Sequence, residues 1–157
     1  MAALDLKAYL ISSLRMQYSR LLKDLQALPE ETHSRSHAGC ARTPLYMVAE
    51  CAWVNNWIAG FLQTGNSDRL SQEEQDARFN SVDTTEKAIS LLEESVATLT
   101  AAYEALDPDT LGDISDKPFG RPMPKFAPAS LPVNHLMYHD GQLNYIQTLL
   151  GDDKVHW

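Results

Sequence analysis

Only two cysteines, Cys40 and Cys51, occur in the 157 residues of this chain. Two thiols cannot build a disulfide framework, and their spacing is neither the C-x-x-C of a redox pair nor that of a zinc knuckle, so both are expected to be reduced. Positive charge is also scarce, with 13 Lys and Arg against 21 Asp and Glu and a formal net charge of -8. An acidic chain without a basic run lacks the electrostatic footprint that a phosphate backbone requires, and an anionic bilayer repels it. Nucleic acid and membrane are therefore excluded as expected partners. No apolar run approaches the roughly 18 residues of a spanning helix, and Asp5 stands where a signal peptide would carry positive charge before its apolar core. A cytoplasmic location is the expectation. Strand-type alternation and internal repeats are absent, and six of the eight prolines crowd between Pro108 and Pro132.

What is present is helical periodicity in four segments. The first, about Leu4 to Leu28, places Ile11, Leu14, Tyr18, Leu21, Leu25 and Leu28 at steps of three and four, and Pro29 ends it. The second opens at Thr43-Pro44, a hydroxyl N-cap followed by proline at the first helical position, and runs to Gly65 with Met47, Val54, Trp57 and Phe61 on its stripe. The third begins at Asp83-Thr84-Thr85-Glu86, which has capping-box spacing, and continues through Ile89, Leu92, Val96, Leu99, Tyr103 and Leu106. The fourth runs from near Ser130 to Gly151, with Leu136, Leu143, Ile146 and Leu150 on a stripe that also holds His139. One domain spanning residues 1–157, an all-α four-helix bundle, buries four such stripes most simply. Its connections are long: about 15, 17 and 22 residues, against the usual 2 to 8 of an up-down bundle. Loops of this length can cross a bundle end or rim a site.

The chemistry concentrates on two helices. His135 and His139 are spaced i, i+4, so one helix face presents both imidazoles one turn apart, and the register turns that face inward. On the second helix, the stripe through Met47, Val54 and Trp57 carries Glu50 where an apolar residue is expected. A buried carboxylate without a partner costs several kcal/mol, so it must be protonated, paired with a cation or bound to a metal. No Lys or Arg lies on an inward stripe, which leaves the two histidines facing Glu50. Glu50, His135 and His139 thus form a candidate two-His, one-carboxylate metal site with room for water or a ligand. A metal-free Glu50 to His139 ion pair is the competing interpretation. A ferritin-like di-iron core needs Glu-x-x-His on two helices and is excluded, and H-E-x-x-H is absent.

The fourth helix, HLMYHDGQLNYIQTLLG from His135 to Gly151, resembles the closing helix of the DinB-like and YfiT-like superfamily of bacterial metal-binding four-helix bundles. Its signature there is H-x-x-x-H followed closely by G-Q-[IL], and Gly141-Gln142-Leu143 stands at the matching positions. On the second helix the family reads His, then Asn or Glu five residues later, then an aromatic pair. Glu50 to Trp57 follows that frame, with Glu50 in place of the first histidine of the usual three. The resemblance implies a divalent metal ion (zinc, nickel or iron) at one end of the bundle. It also implies a low-molecular-weight thiol co-substrate, a small-molecule electrophile and a homodimer. Metal-dependent thiol transferase or thiol-dependent isomerase activity follows as the expectation; the alternative is a non-catalytic dimeric bundle with a structural or vacant metal site.

The remaining features have plainer expectations. Trp53 and Trp57 are read as core or dimer packing. Cys51 lies about 100° around the helix from Glu50 and is not expected to be a ligand. His33, His37 and Cys40 are read as a solvated loop cluster. Tyr138 and Asp140 flank the histidines as candidates for supporting hydrogen bonds. Lys117, Arg121 and Lys125 would steer an anionic co-substrate only if their loop bordered the metal; Asp113 and Asp116 dilute their charge, and a plain solvated loop is the expectation.

Overall fold

The computed structural model describes residues 5–65 and 68–157. Its long helices are α1 (Leu6–Ala27), α2 (Pro44–Thr64), α4 (Thr85–Glu104) and α5 (Phe126–Leu149), with a short α3 (Gln72–Asn80) between the second and third of them. The start expected at Leu4 lies outside the described residues; Asp5 caps α1 by accepting from the Ala8 amide. Thr43 caps α2, and Gly65 closes it with φ 71°, a left-handed conformation that glycine adopts without a Cβ penalty. No helix is long and apolar enough to cross a membrane among these residues.

Contacts at the helix ends define the order. Lys7 Nζ donates to the carbonyls of Glu104 and Leu106, so α1 runs antiparallel to α4. The His33 carbonyl accepts from Leu45 N at the start of α2 and its ring bonds Thr85 at the start of α4, so α2 and α4 are parallel, joined midway by Asn55 Nδ2 donating to Ser95 Oγ at 3.0 Å. Phe61 and Thr64 at the end of α2 share a cavity with Lys125 at the start of α5, so these two helices are antiparallel, and Glu50 meets His139 just past the middle of α5. Each of α1 and α2 packs on both α4 and α5, so α1 and α2 are diagonal and the bundle runs up, down, down, up. The long loops permit this, because a diagonal step must cross the bundle end.

Two loops carry structure that periodicity does not reveal. The expected loop after Gly65 contains α3, which opens with a capping box between Ser71 and Glu74. Its one large apolar side chain, Phe79, is buried edge-on to Tyr46 at 5.1 Å and beside Trp53 at 6.0 Å. The spacing at Asp83 to Glu86 is not a capping box; Thr84 alone caps α4, accepting from Lys87 N. The third connection holds a 3-10 turn at Pro108–Gly112 and a two-stranded antiparallel pair, β1 (Ile114–Ser115) with β2 (Met123–Pro124). Helix α5 starts one turn before Ser130, at Phe126, because Pro128 falls in its first turn, where no amide donor is required. The core is formed by Leu10, Leu14 and Leu21 of α1, Val48 and Ile58 of α2, Leu92 and Leu99 of α4, and Leu136 and Leu143 of α5. Tyr103 Oη donates to the Ala129 carbonyl at 2.6 Å and ties α4 to the start of α5.

Candidate functional site

The antiparallel seam of α2 and α5 brings Glu50, His135 and His139 together. Glu50 Oε2 lies 3.3 Å from His139 Nε2, and Oε1 lies 3.9 Å from His135 Nε2. The two imidazoles stand edge to face with centroids 4.6 Å apart, as their one-turn spacing requires. His139 is fully buried, whereas the Glu50 side chain keeps 14% of its surface, so the group sits just inside the bundle wall.

Hydrogen bonding sets the state of His139. Its Nδ1 is 2.7 Å from Gln142 Oε1, an acceptor, so Nδ1 carries the proton and donates. With no second proton on the ring, Nε2 turns its lone pair toward a carboxylate oxygen 3.3 Å away, where it meets no hydrogen-bond donor. Two acceptors at that distance repel unless a cation lies between them, either a second proton on the ring or a metal ion. The G-Q element of the closing helix thus has a physical role: Gln142 fixes the histidine tautomer.

Two neighbours differ from the sequence expectation. Arg42, in the turn before α2, donates from Nη1 to Glu50 Oε2 at 2.6 Å, so the histidines are not the only groups facing this carboxylate. A search confined to inward helix stripes misses a cation that reaches in from a loop. Burial raises the Glu50 pKa, but His139, Arg42 and His135 outweigh it and hold the carboxyl below its ordinary value. Burial, with His139 and Arg42 adding to it, pushes His135 down to about 4 against the opposing pull of Glu50. The second neighbour is Cys51. Its Sγ and the nitrogen donors of His135 and His139 all lie within 4.8 Å of one another, a group able to hold a metal ion. The 100° offset from Glu50 does not take the thiol away from the histidines, because it turns the short side chain to the core side of the same seam, where burial raises the thiol pKa.

Other expectations are corrected by packing. Asp140 does not support the histidines; it turns to α1, where its carboxyl meets the fully buried Asp24. Tyr138 is exposed. His33 is buried rather than solvated, bonded to Thr85 Oγ1 at 2.8 Å and the Leu28 carbonyl at 3.1 Å, and so pins the first loop to α4. Asn55, five residues after Glu50, donates from Nδ2 to Ser95 of α4. Trp53 and Trp57 stack at 5.5 Å, and Phe119 from the third loop packs edge-on to Trp57, as expected of packing residues. Lys117 and Lys125 line a cavity of about 440 Å³ with Phe61, Leu106 and Leu111. That cavity lies at the other end of α2, about 20 Å along the helix from Glu50, and these lysines do not border the histidines.

No protein-family model and no curated protein matches the chain in sequence. Solved structures do match in fold. A conserved protein from Enterococcus faecalis superposes with a TM-score of 0.73 at 14% identity, over 94% of this chain and 98% of that one. The mycothiol-dependent maleylpyruvate isomerase, of DinB/YfiT-like fold, superposes with a TM-score of 0.71 at 18% identity, as does a point variant of it. That match covers 91% of this chain and 63% of the isomerase, so the chain spans less than two thirds of that protein's length. The all-α bundle has a DinB-like fold.

Proposed function

We propose that this chain is a member of the DinB/YfiT-like superfamily that binds a divalent metal ion through Glu50, His135 and His139 and uses it to activate a low-molecular-weight thiol toward a small electrophile. The observation that carries the metal is the buried, unpartnered Nε2 of His139 aimed at a carboxylate oxygen 3.3 Å away. Two imidazoles and a carboxylate are a donor set suited to zinc, nickel or iron. A bound ion of this kind supplies Lewis acidity, lowering the pKa of a coordinated thiol or water so that a nucleophile exists at neutral pH. The residues themselves hold and orient: Gln142 fixes the His139 tautomer, and, against burial, His139 with Arg42 holds the Glu50 carboxyl below its ordinary value. Thiol chemistry is supported by the fold shared with a mycothiol-dependent enzyme, and the reaction is a thiol transfer or thiol-dependent isomerisation.

The test is elemental analysis of protein purified without a metal-affinity tag. The wild type is expected to carry one equivalent of a transition metal and Glu50→Ala to lose most of it. Absence of metal from wild type, even after incubation with zinc and desalting, would show that Glu50 is satisfied by Arg42 alone. That is the observation favouring the second reading, a non-catalytic bundle with a vacant site.

The same reading includes a homodimer. Tyr138, Tyr145 and Leu149 recur at i, i+7 and i+11 on α5 and are all exposed, an apolar stripe that a second copy would cover. Sedimentation should find a species of twice the chain mass, and monomer alone at high concentration would remove the dimer.

A further inference from the structure

Cys51 is fully buried and packs with the hydrophobic core, yet it lies on the side of the core that faces the histidine pair. Its sulfur stands with the nitrogen donors of His135 and His139, all within 4.8 Å of one another. Glu50 and Cys51 are consecutive on α2, and their 100° offset brings them to the histidine pair from different sides, the carboxylate from the partly open wall and the thiol from the closed core. Tetrahedral zinc, with Zn–N of about 2.0 Å and Zn–S of about 2.3 Å, sets donors about 3.3 to 3.6 Å apart. Glu50 and His139 already meet that spacing at 3.3 Å. The Cys51 sulfur and the two histidine nitrogens, within 4.8 Å of one another, exceed that spacing by about 1.3 Å at most, within the reach of a side-chain rotation; Glu50 lies outside that group and joins it through its own contacts with the histidines.

We infer that Cys51 is a fourth donor to the metal ion, bound as thiolate alongside Glu50, His135 and His139. The inference rests on the metal-binding reading and extends it. On binding, a metal–sulfur bond forms, the S–H bond breaks and its proton leaves to solvent. A sulfur donor makes the site selective: it disfavours magnesium and calcium and favours zinc and the later transition metals. Of the four donors, the Glu50 oxygen is the one with a competing bonded partner, Arg42 Nη1 at 2.6 Å, so the carboxylate is the donor placed to yield to an incoming thiol.

The experiment uses the full chain carrying Cys40→Ser, which removes the exposed thiol and leaves Cys51 as the sole cysteine. The metal-stripped protein is titrated with cobalt(II). The expected result is intense visible ligand-field absorption together with a near-ultraviolet sulfur-to-cobalt charge-transfer band, both saturating at one equivalent. Adding Cys51→Ser should abolish the charge-transfer band, keep visible bands and weaken cobalt binding. Visible bands without charge transfer in the Cys40→Ser protein would overturn the inference and leave the three-donor site standing. No cobalt spectrum at all would overturn both. The Cys40→Ser measurement decides the matter by itself if the double variant does not fold.

Discussion

Removing metal with a chelator should lower the melting temperature near pH 7.5 by roughly 10 °C and change it little near pH 5. An ion present at about a thousand times its dissociation constant stabilises the folded state by about 4 kcal/mol, and each kcal/mol moves the midpoint of a domain this size by about 2–4 °C. The pH dependence follows from the ligands, because protons compete with the ion for imidazole nitrogen and carboxylate oxygen, so the increment disappears in acid. The metal-free protein has a slope of its own. His135 is depressed from 6.5 to about 4 by burial first and by His139 and Arg42 next, so between those values the unfolded chain binds more protons than the folded one. Its contribution is present above pH 6.5 and is lost as pH falls toward 4. Glu50, also depressed, loses its contribution in the same direction below its ordinary value of 4.5. Sequence reasoning about a Glu50 to His139 pair anticipates the reverse, a raised histidine pKa and stability fading toward pH 8. His135, which is not the histidine of that pair, adds a slope of the opposite sign, because desolvation there outweighs the carboxylate. The slope alone therefore does not separate the two readings, but the difference made by chelator does. Melting curves that overlay with and without chelator at every pH from 5 to 8 would sink the metal site.

Asp140→Asn should stabilise the protein at pH 8 and leave it nearly unchanged at pH 4. Burial, a hydrogen bond with the Asp24 carboxyl and the charge on Asp24 together push Asp140 up from 3.8 to about 7, with Arg20 opposing. One oxygen of each carboxyl is buried without a partner, the arrangement of two acceptors that need a proton between them. The Asp24 side chain also accepts from Asn144 Nδ2, and its backbone carbonyl accepts from Gln147 Nε2 at 3.0 Å, which holds it against α5. Because the folded pKa is raised, the favourable contribution is complete below pH 3.8 and is lost as pH rises through 7. An asparagine supplies a permanent donor to Asp24 and does not titrate. The expected gain over wild type is on the order of 1–2 kcal/mol at pH 8, discounted for solvent at the edge of the pair, or a few degrees in melting temperature. Comparing chelated samples from pH 4 to 8.5 separates this effect from metal binding at the adjacent His139. A variant less stable than wild type at pH 8 would mean that Arg20 or another cation already neutralises the ionised pair.

Local and periodic properties of this protein are written in its sequence. The four long helices are specified by apolar residues at steps of three and four, and the Thr43-Pro44 start and Gly65 stop of α2 by capping chemistry that acts within one turn. The inward direction of Glu50, His135 and His139 is specified by register, which makes their meeting across the α2–α5 seam a short inference from the sequence. Features that depend on chain segments meeting at a distance were settled only by the tertiary structure. Helix α3 has one large apolar side chain in nine residues and is held by Phe79 docking on Tyr46 and Trp53, a contact no local period encodes. The diagonal step from α1 to α2 depends on which faces pack, and loop length merely allows it. Arg42 reaches Glu50 from a loop outside any stripe, Cys51 joins the histidines by the depth at which α2 and α5 interlock, and Asp24 meets Asp140 across α1 and α5, 116 positions apart in the chain. Periodicity tells which way a side chain points along its own helix, whereas its partner is decided by the packing of another.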